Sequence, residues 1–150
     1  MTCKFEGSGR KLSDFDIAML EKKIGEKLPK EYRVFLLNNN GGRPVPDAFN
    51  FRTAFHGGKT SAVQFFMGID LPIDSSNLFW AWDQYKTDLP EHMIPIASIG
   101  YEDDILCLAL AGAMKGAIYY WDSSESGQLE SNTNLYLISE SILAFNTYLR

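Results

Sequence analysis

Glu102, Asp103 and Asp104 are three consecutive carboxylates, the densest acidic group in the chain. Carboxylates this crowded can hold a hard cation such as Ca²⁺ or Mg²⁺. The EF-hand pattern is absent, however, and neighbours on a strand point to opposite faces, so the group reads as a solvated turn between strands. The two histidines, His56 and His92, have no second histidine or cysteine at ligand spacing, and no metal site is expected. Gly57-Gly58-Lys59-Thr60 has the ending of a phosphate loop without its full spacing or its strand–loop–helix setting. Ser8 and Ser61 lie in no nucleophile elbow, and Cys107 would need a histidine beside it in space. Glu21-Lys22-Lys23 contains a Glu-x-Lys element of the kind nucleases use, with no aspartate before it at a fitting distance. Several catalytic templates fail together, so neither an enzyme nor a cofactor is expected.

Charge says more than motif. The net charge is −5, unevenly placed. Residues 1–43 hold nine Lys/Arg and six Asp/Glu, a balance of +3; residues 88–140 hold nine Asp/Glu and one Lys, a balance of −8. Such a field repels nucleic-acid phosphates and favours a basic protein partner; ordinary solubility charge is the alternative. The partner-binding candidates are Glu102, Asp103, Asp104, Asp122 and Glu125. They fall at the ends of neighbouring predicted strands, and in a meander such turns gather at one end of the sheet. Trp80 is a candidate contact anchor, whereas Trp82 and Trp121 read as core.

These residues need a frame, and the periodicity supplies one. Ser13 caps a helix whose apolar stripe is Ile17, Leu20, Ile24 and Leu28, closed by Gly25. Pro29 starts a second helix with Tyr32, Phe35 and Leu36 inside, and Asn38 to Gly42 ends it. Phe49, Phe51, Thr53 and Phe55 alternate with Asn50, Arg52, Ala54 and His56, Gly57-Gly58-Lys59 turns the chain, and Val63, Phe65, Met67 and Ile69 form the apolar side of the returning strand. Leu78, Trp82 and Tyr85 predict a short helix over 77–86. Met93–Ala97 reads as a strand in which Pro95 marks an edge or a bulge. Asp104–Leu110 suits a central strand, and Ala117–Trp121 is a third. Residues 123–134 read as a mobile loop, and Ser139 as the cap of a last helix burying Ile142, Phe145 and Leu149, with Ile138 and Leu143 as its hydrophobic staple. The expected fold is α+β, one domain over residues 1–150, with a mainly antiparallel, twisted sheet and helices covering one face.

The chain of 150 residues is 45% hydrophobic and 22% charged, the composition of an ordinary globular domain. Cys107 sits in an apolar run and reads as a reduced, buried thiol; a bridge to Cys3 is the alternative. The first eleven residues show no apolar stretch of a secretory signal, and nothing is long and apolar enough to span a membrane. A cytoplasmic location is expected.

Ile24 to Gly42, IGEKLPKEYRVFLLNNNGG, resembles the opening signature of the SUKH superfamily, which includes Smi/Knr-type cell-wall regulators and bacterial toxin-immunity proteins. The matching positions are Leu28-Pro29, Glu31-Tyr32, Phe35-Leu36-Leu37 and Asn40-Gly41-Gly42. Met93–Ala97 with Gly100 and Asp104–Leu108 resembles the family's central strand pair. Gly116–Asp122 resembles its next strand, and a terminal helix is also expected. Tyr101-Glu102-Asp103-Asp104 stands where members often carry Gly-Gly-Asp or Gly-Asn. The resemblance implies a non-catalytic binding protein: an immunity protein, or antitoxin, neutralising a polymorphic or contact-dependent toxin such as a basic nuclease domain. Its alternative is a housekeeping regulatory or scaffold domain of the cell-wall-regulator type. The compact chain, without long flanks, favours the immunity form.

Overall fold

A computed structural model describes residues 3–52, 58–100, 104–122 and 135–150. The first helix, α1 (Asp14–Ile24), begins where the local chemistry requires. Ser13 accepts from the Asp16 N–H, and the Asp16 carboxylate accepts from the Ser13 N–H in return. Gly25 ends the helix at φ 80°, a conformation that suits a residue without Cβ. Ile17, Leu20 and Ile24 point inward. In α2 (Lys30–Asn38), capped by Pro29, the buried face is Tyr32, Phe35 and Leu36. Two short strands not anticipated from the sequence, β1 (Lys4–Glu6) and β2 (Arg43–Val45), pair antiparallel and lash the N-terminal segment beside α2.

The remaining strands form one antiparallel sheet in chain order: β3 (Ala48–Arg52), β4 (Gly58–Phe66), β5 (Met93–Ile99), β6 (Ile105–Ala109), β7 (Ile118–Trp121) and β8 (Leu135–Ser139). Helix α3 (Leu78–Tyr85) lies in the connection between β4 and β5, and α4 (Ile142–Tyr148) follows β8. Pro95 does not mark an edge, because β5 lies inside the sheet; the register shifts between Pro95 and Ala97, so the proline sits at a bulge. Leu135–Ser139, read in part as the entry to the last helix, is strand instead, and Ser141 rather than Ser139 caps α4.

The sheet coils strongly. Phe51 on β3 stacks on Tyr120 of β7 with ring centroids 4.4 Å apart. Four strand steps would separate them by about 19 Å in a flat sheet. Phe49 and Phe66 meet Phe145 of α4, and Phe66 meets Phe35 of α2, on the face that carries Tyr120. Trp121, adjacent to Tyr120 and therefore on the opposite face, meets Tyr85 of α3. Helices thus lie on both faces rather than one. That is why all five side chains of β6 are buried. Cys107 is among them and Cys3 is half-buried; neither forms a disulfide. Among the described residues no helix is long and apolar enough to cross a membrane.

Candidate functional site

The sheet topology gathers two connections at one end. Arg52 pairs with Gly58, Val63 with Ile99, Ile105 with Trp121 and Trp121 with Leu135. The strand ends that flank residues 101–103 and 123–134 therefore lie together, while the β3–β4 ends at Arg52 and Gly58 lie five residues along β4 from the Val63–Ile99 pair. Two of the five acidic candidates, Asp104 and Asp122, are described there; Glu102, Asp103 and Glu125 lie outside the described residues, as does His56.

Asp104 differs from a solvated turn residue. It is buried, and its carboxylate accepts a hydrogen bond from the Tyr120 hydroxyl. Its carbonyl accepts from the Ile99 N–H at 3.2 Å, closing the β5–β6 hairpin. The same Tyr120 ring carries the stack with Phe51, so Asp104 helps to hold the coil of the sheet. Asp122, at the end of β7, is half-buried.

The segment that ends α2 does more than stop a helix. Asn40 is buried and uses its whole amide. Its Nδ2 donates to the carbonyls of Arg10 at 2.9 Å and Ile69 at 2.8 Å, while its Oδ1 accepts from the Ile69 N–H at 2.7 Å. One side chain thus ties α2 to the segment before α1 and to the chain leaving β4. The backbones around it approach too closely for side chains. A Cβ on Gly68 would lie 2.3 Å from Asn40 Oδ1, and one on Gly41, where φ is 70°, would lie 2.8 Å from Leu71 Cδ1. Gly42 and Phe66 exchange backbone hydrogen bonds across the same junction.

Glu21, considered above for catalysis, is also architectural. Its carboxylate accepts from the Leu28 N–H at 2.7 Å and from Arg33 at 3.0 Å, fixing the turn from α1 to α2. Burial alone would raise its pKa, but the Leu28 and Arg33 hydrogen bonds outweigh it and the net shift is downward. The Tyr32 hydroxyl has no partner among the described residues, and burial pushes its pKa up.

Nucleophilic and metal chemistry find little here. Cys107 lies wholly inside the sheet, and burial raises its thiol pKa well above the usual range, so it holds no thiolate at neutral pH. Among the described residues no three His, Cys, Asp or Glu side chains converge as a metal site. His92 is exposed at the entrance to β5, with Nδ1 2.6 Å from Glu26 Oε1. The hydrogen bond to Glu26, helped by that charge and by Glu91, holds its pKa above the ordinary 6.5. A raised folded-state pKa means that the pair stabilises the fold fully below the unfolded value. That contribution is lost as pH climbs from about 6.5 through the folded value. We expect the His92 ring to titrate above 6.5 in an NMR pH series and to return to the ordinary imidazole value in Glu26→Gln. An unchanged midpoint in that variant would show that Glu26 is not the cause.

A second surface feature lies elsewhere. An open groove of about 590 Å³ runs between α2 and α4, with Phe5 of β1 also lining it. Nothing in the sequence marked it, because its two walls are more than a hundred residues apart in the chain. Of the tryptophans, Trp121 is buried while Trp80 and Trp82 are half-buried, so α3 leaves aromatic surface on its flanks.

Residues 11–146 match the family model described as SMI1 / KNR4 family (SUKH-1). No curated protein matches the chain.

Proposed function

The chain belongs to the SMI1 / KNR4 family (SUKH-1), and on that footing we propose that it is a non-catalytic protein-binding domain, an immunity protein that neutralises a basic toxin domain such as a nuclease. The observation that carries this reading is the −8 balance of residues 88–140, combined with a topology that brings the ends of β5, β6, β7 and β8 together. Nuclease domains must hold phosphates and tend to be basic. An acidic surface steers such a partner to fast association and competes with its substrate. Side chains in the connections of a rigid sheet are well placed for contact.

The docking candidates remain Glu102, Asp103, Asp122 and Glu125. Asp104 is buried against the Tyr120 hydroxyl and is left intact in the test. The experiment pairs the chain with the toxin-like C-terminal domain of a secreted protein encoded beside its gene. Co-expression is expected to relieve toxicity. Neutralising Glu102, Asp103, Asp122 and Glu125 together should slow association about tenfold or more at low salt and flatten its salt dependence. A parental rate and salt slope in that variant would remove the acidic end as the docking site. Toxicity unrelieved, with capture of a constitutive cell-wall or signalling protein instead, would favour the regulatory or scaffold reading.

A further inference from the structure

Asn40 and Gly41 form the only Asn-Gly pair in the chain. This dipeptide carries its own chemistry. The glycine nitrogen, once it has lost its proton to solvent, can attack the side-chain carbonyl carbon of the asparagine. A bond forms from Gly41 N to Asn40 Cγ, the Cγ–Nδ2 bond breaks, and the nitrogen takes up a proton and leaves as ammonia. Water then opens the resulting succinimide at either of its carbonyls. One opening leaves aspartate; the other leaves isoaspartate, in which the backbone runs through the side chain. Glycine favours the attack because no Cβ shields its nitrogen and its backbone turns freely. An unfolded chain therefore exposes a reactive site here.

The fold closes each step of that reaction. Asn40 is buried, and the Gly41 N–H is donated to the Asn39 carbonyl at 3.0 Å, which holds the attacking nitrogen in its protonated form. The carbon under attack is held as well. Oδ1 accepts from the Ile69 N–H at 2.7 Å, and Nδ2, the leaving nitrogen, donates to the Arg10 and Ile69 carbonyls at 2.9 Å and 2.8 Å. The Asn40 carbonyl accepts from the Gly9 N–H at 2.8 Å, so the backbone is fixed beside the side chain. Little room is left for the amide to swing: a Cβ on Gly9 would lie 2.8 Å from Nδ2 and one on Gly68 2.3 Å from Oδ1. Attack requires that the three side-chain hydrogen bonds break and that the segment before α1 part from the chain leaving β4. The products do not fit the same place. A carboxylate turns an oxygen toward the two carbonyls to which the amide donated, and an isoaspartyl link lengthens the backbone between Asn39 and Gly41.

We propose that Asn40 is a latent deamidation site, closed while the junction is intact and opened by its unfolding, and that its modification commits the chain to the unfolded state. This inference does not depend on the toxin reading.

The test incubates the parent protein folded in mildly alkaline buffer, and unfolded by guanidinium chloride in the same buffer. Mass spectrometry follows the tryptic peptide of residues 34–52, uncut at Arg43 because Pro44 follows, and fragmentation separates Asn38, Asn39, Asn40 and Asn50. In the unfolded chain Asn40 should convert first, to a mixture of aspartate and isoaspartate. Deamidation is slow beside the opening and closing of a fold, so in the folded protein it samples only the open population. Conversion of Asn40 there should be at least about tenfold slower. After dilution from denaturant, the fraction that regains the native near-UV spectrum should fall in step with conversion of Asn40. It should stay whole after the same time unfolded in mildly acidic buffer, where the Gly41 nitrogen keeps its proton. Protection below about tenfold, or earlier conversion at Asn38, Asn39 or Asn50, would remove Asn40 as the latent site. Refolding of converted chains to the parental urea midpoint, or an equal loss of refolding in the acidic buffer, would overturn the commitment.

Discussion

Asn40→Ala is expected to destabilise the domain by about 3–5 kcal/mol, read as a lower urea midpoint with an unchanged m-value. The substitution removes three short hydrogen bonds at once and leaves the Ile69 N–H, the Ile69 carbonyl and the Arg10 carbonyl without the partner they had. Each buried group left unpaired costs about 1–3 kcal/mol. The site cannot readily recover by collapse, because Gly41, Gly42 and Gly68 already bring backbone into contact around it. Asn40→Asp should fare no better. The carboxylate retains an acceptor for the Ile69 N–H but turns its other oxygen toward two carbonyls. Asn38→Ala, at an exposed position two residues earlier, should lie within about 0.5 kcal/mol of the parent. A loss below about 1 kcal/mol for Asn40→Ala would mean that the junction is held by packing rather than by its amide.

That junction shows where local pattern stops being informative. Asn38 to Gly42 was legible as a helix stop, because Asn and Gly tolerate left-handed backbone and Pro44 follows. Its second task was not legible, since the partners of Asn40 are Arg10 and Ile69, thirty and twenty-nine residues away. Helix α1 was readable to within a residue at each end, because Ser13, Asp16 and Gly25 act on their immediate neighbours. The three-residue strands β1 and β2 carry too few residues to show a period, and Pro44 argues against a strand. Ser139 and Ser141 both precede the apolar run of α4 and look equivalent as caps; pairing of Ile118 with Ser139 decides between them by drawing Ser139 into the sheet.

The acidic group divides for a similar reason. Asp104 has the parity of Leu106 and Leu108, and Leu106 is paired with Tyr120. Strand alternation could therefore have turned its side chain inward. Adjacency to Glu102 and Asp103 in the sequence concealed this. The groove lies beyond any such reading, because α2 and α4 meet only after the sheet has coiled between them.

Phe66→Ala is expected to destabilise the domain by about 3–5 kcal/mol, and Phe65→Ala by no more than about 1 kcal/mol. Unbroken alternation from Val63 would place Phe65 in the core and Phe66 outside. The register instead slips: Val63 pairs with Ile99, but Phe65 pairs with Ser98 and Phe66 with Ala97. Two steps along β4 thus match one along β5, a bulge centred on Gln64. Its side chain is turned outward, with Oε1 accepting from the Ser98 hydroxyl at 2.9 Å. Beyond the bulge every side chain changes face, so Val63 and Phe66 are both buried while Phe65 is left half-covered. Phe66 then becomes the meeting point of three elements outside the sheet. Its ring centroid lies 5.1 Å from Phe35 of α2, 5.9 Å from Phe5 of β1 and 6.3 Å from Phe145 of α4. Truncation to alanine opens a cavity at that point and loosens β1, α2 and α4 together, and the surrounding rings are too large to close it by small rotations. Urea unfolding of the two variants decides the register: equal losses, or a larger loss for Phe65→Ala, would restore the unbroken alternation and move Phe66 to the surface.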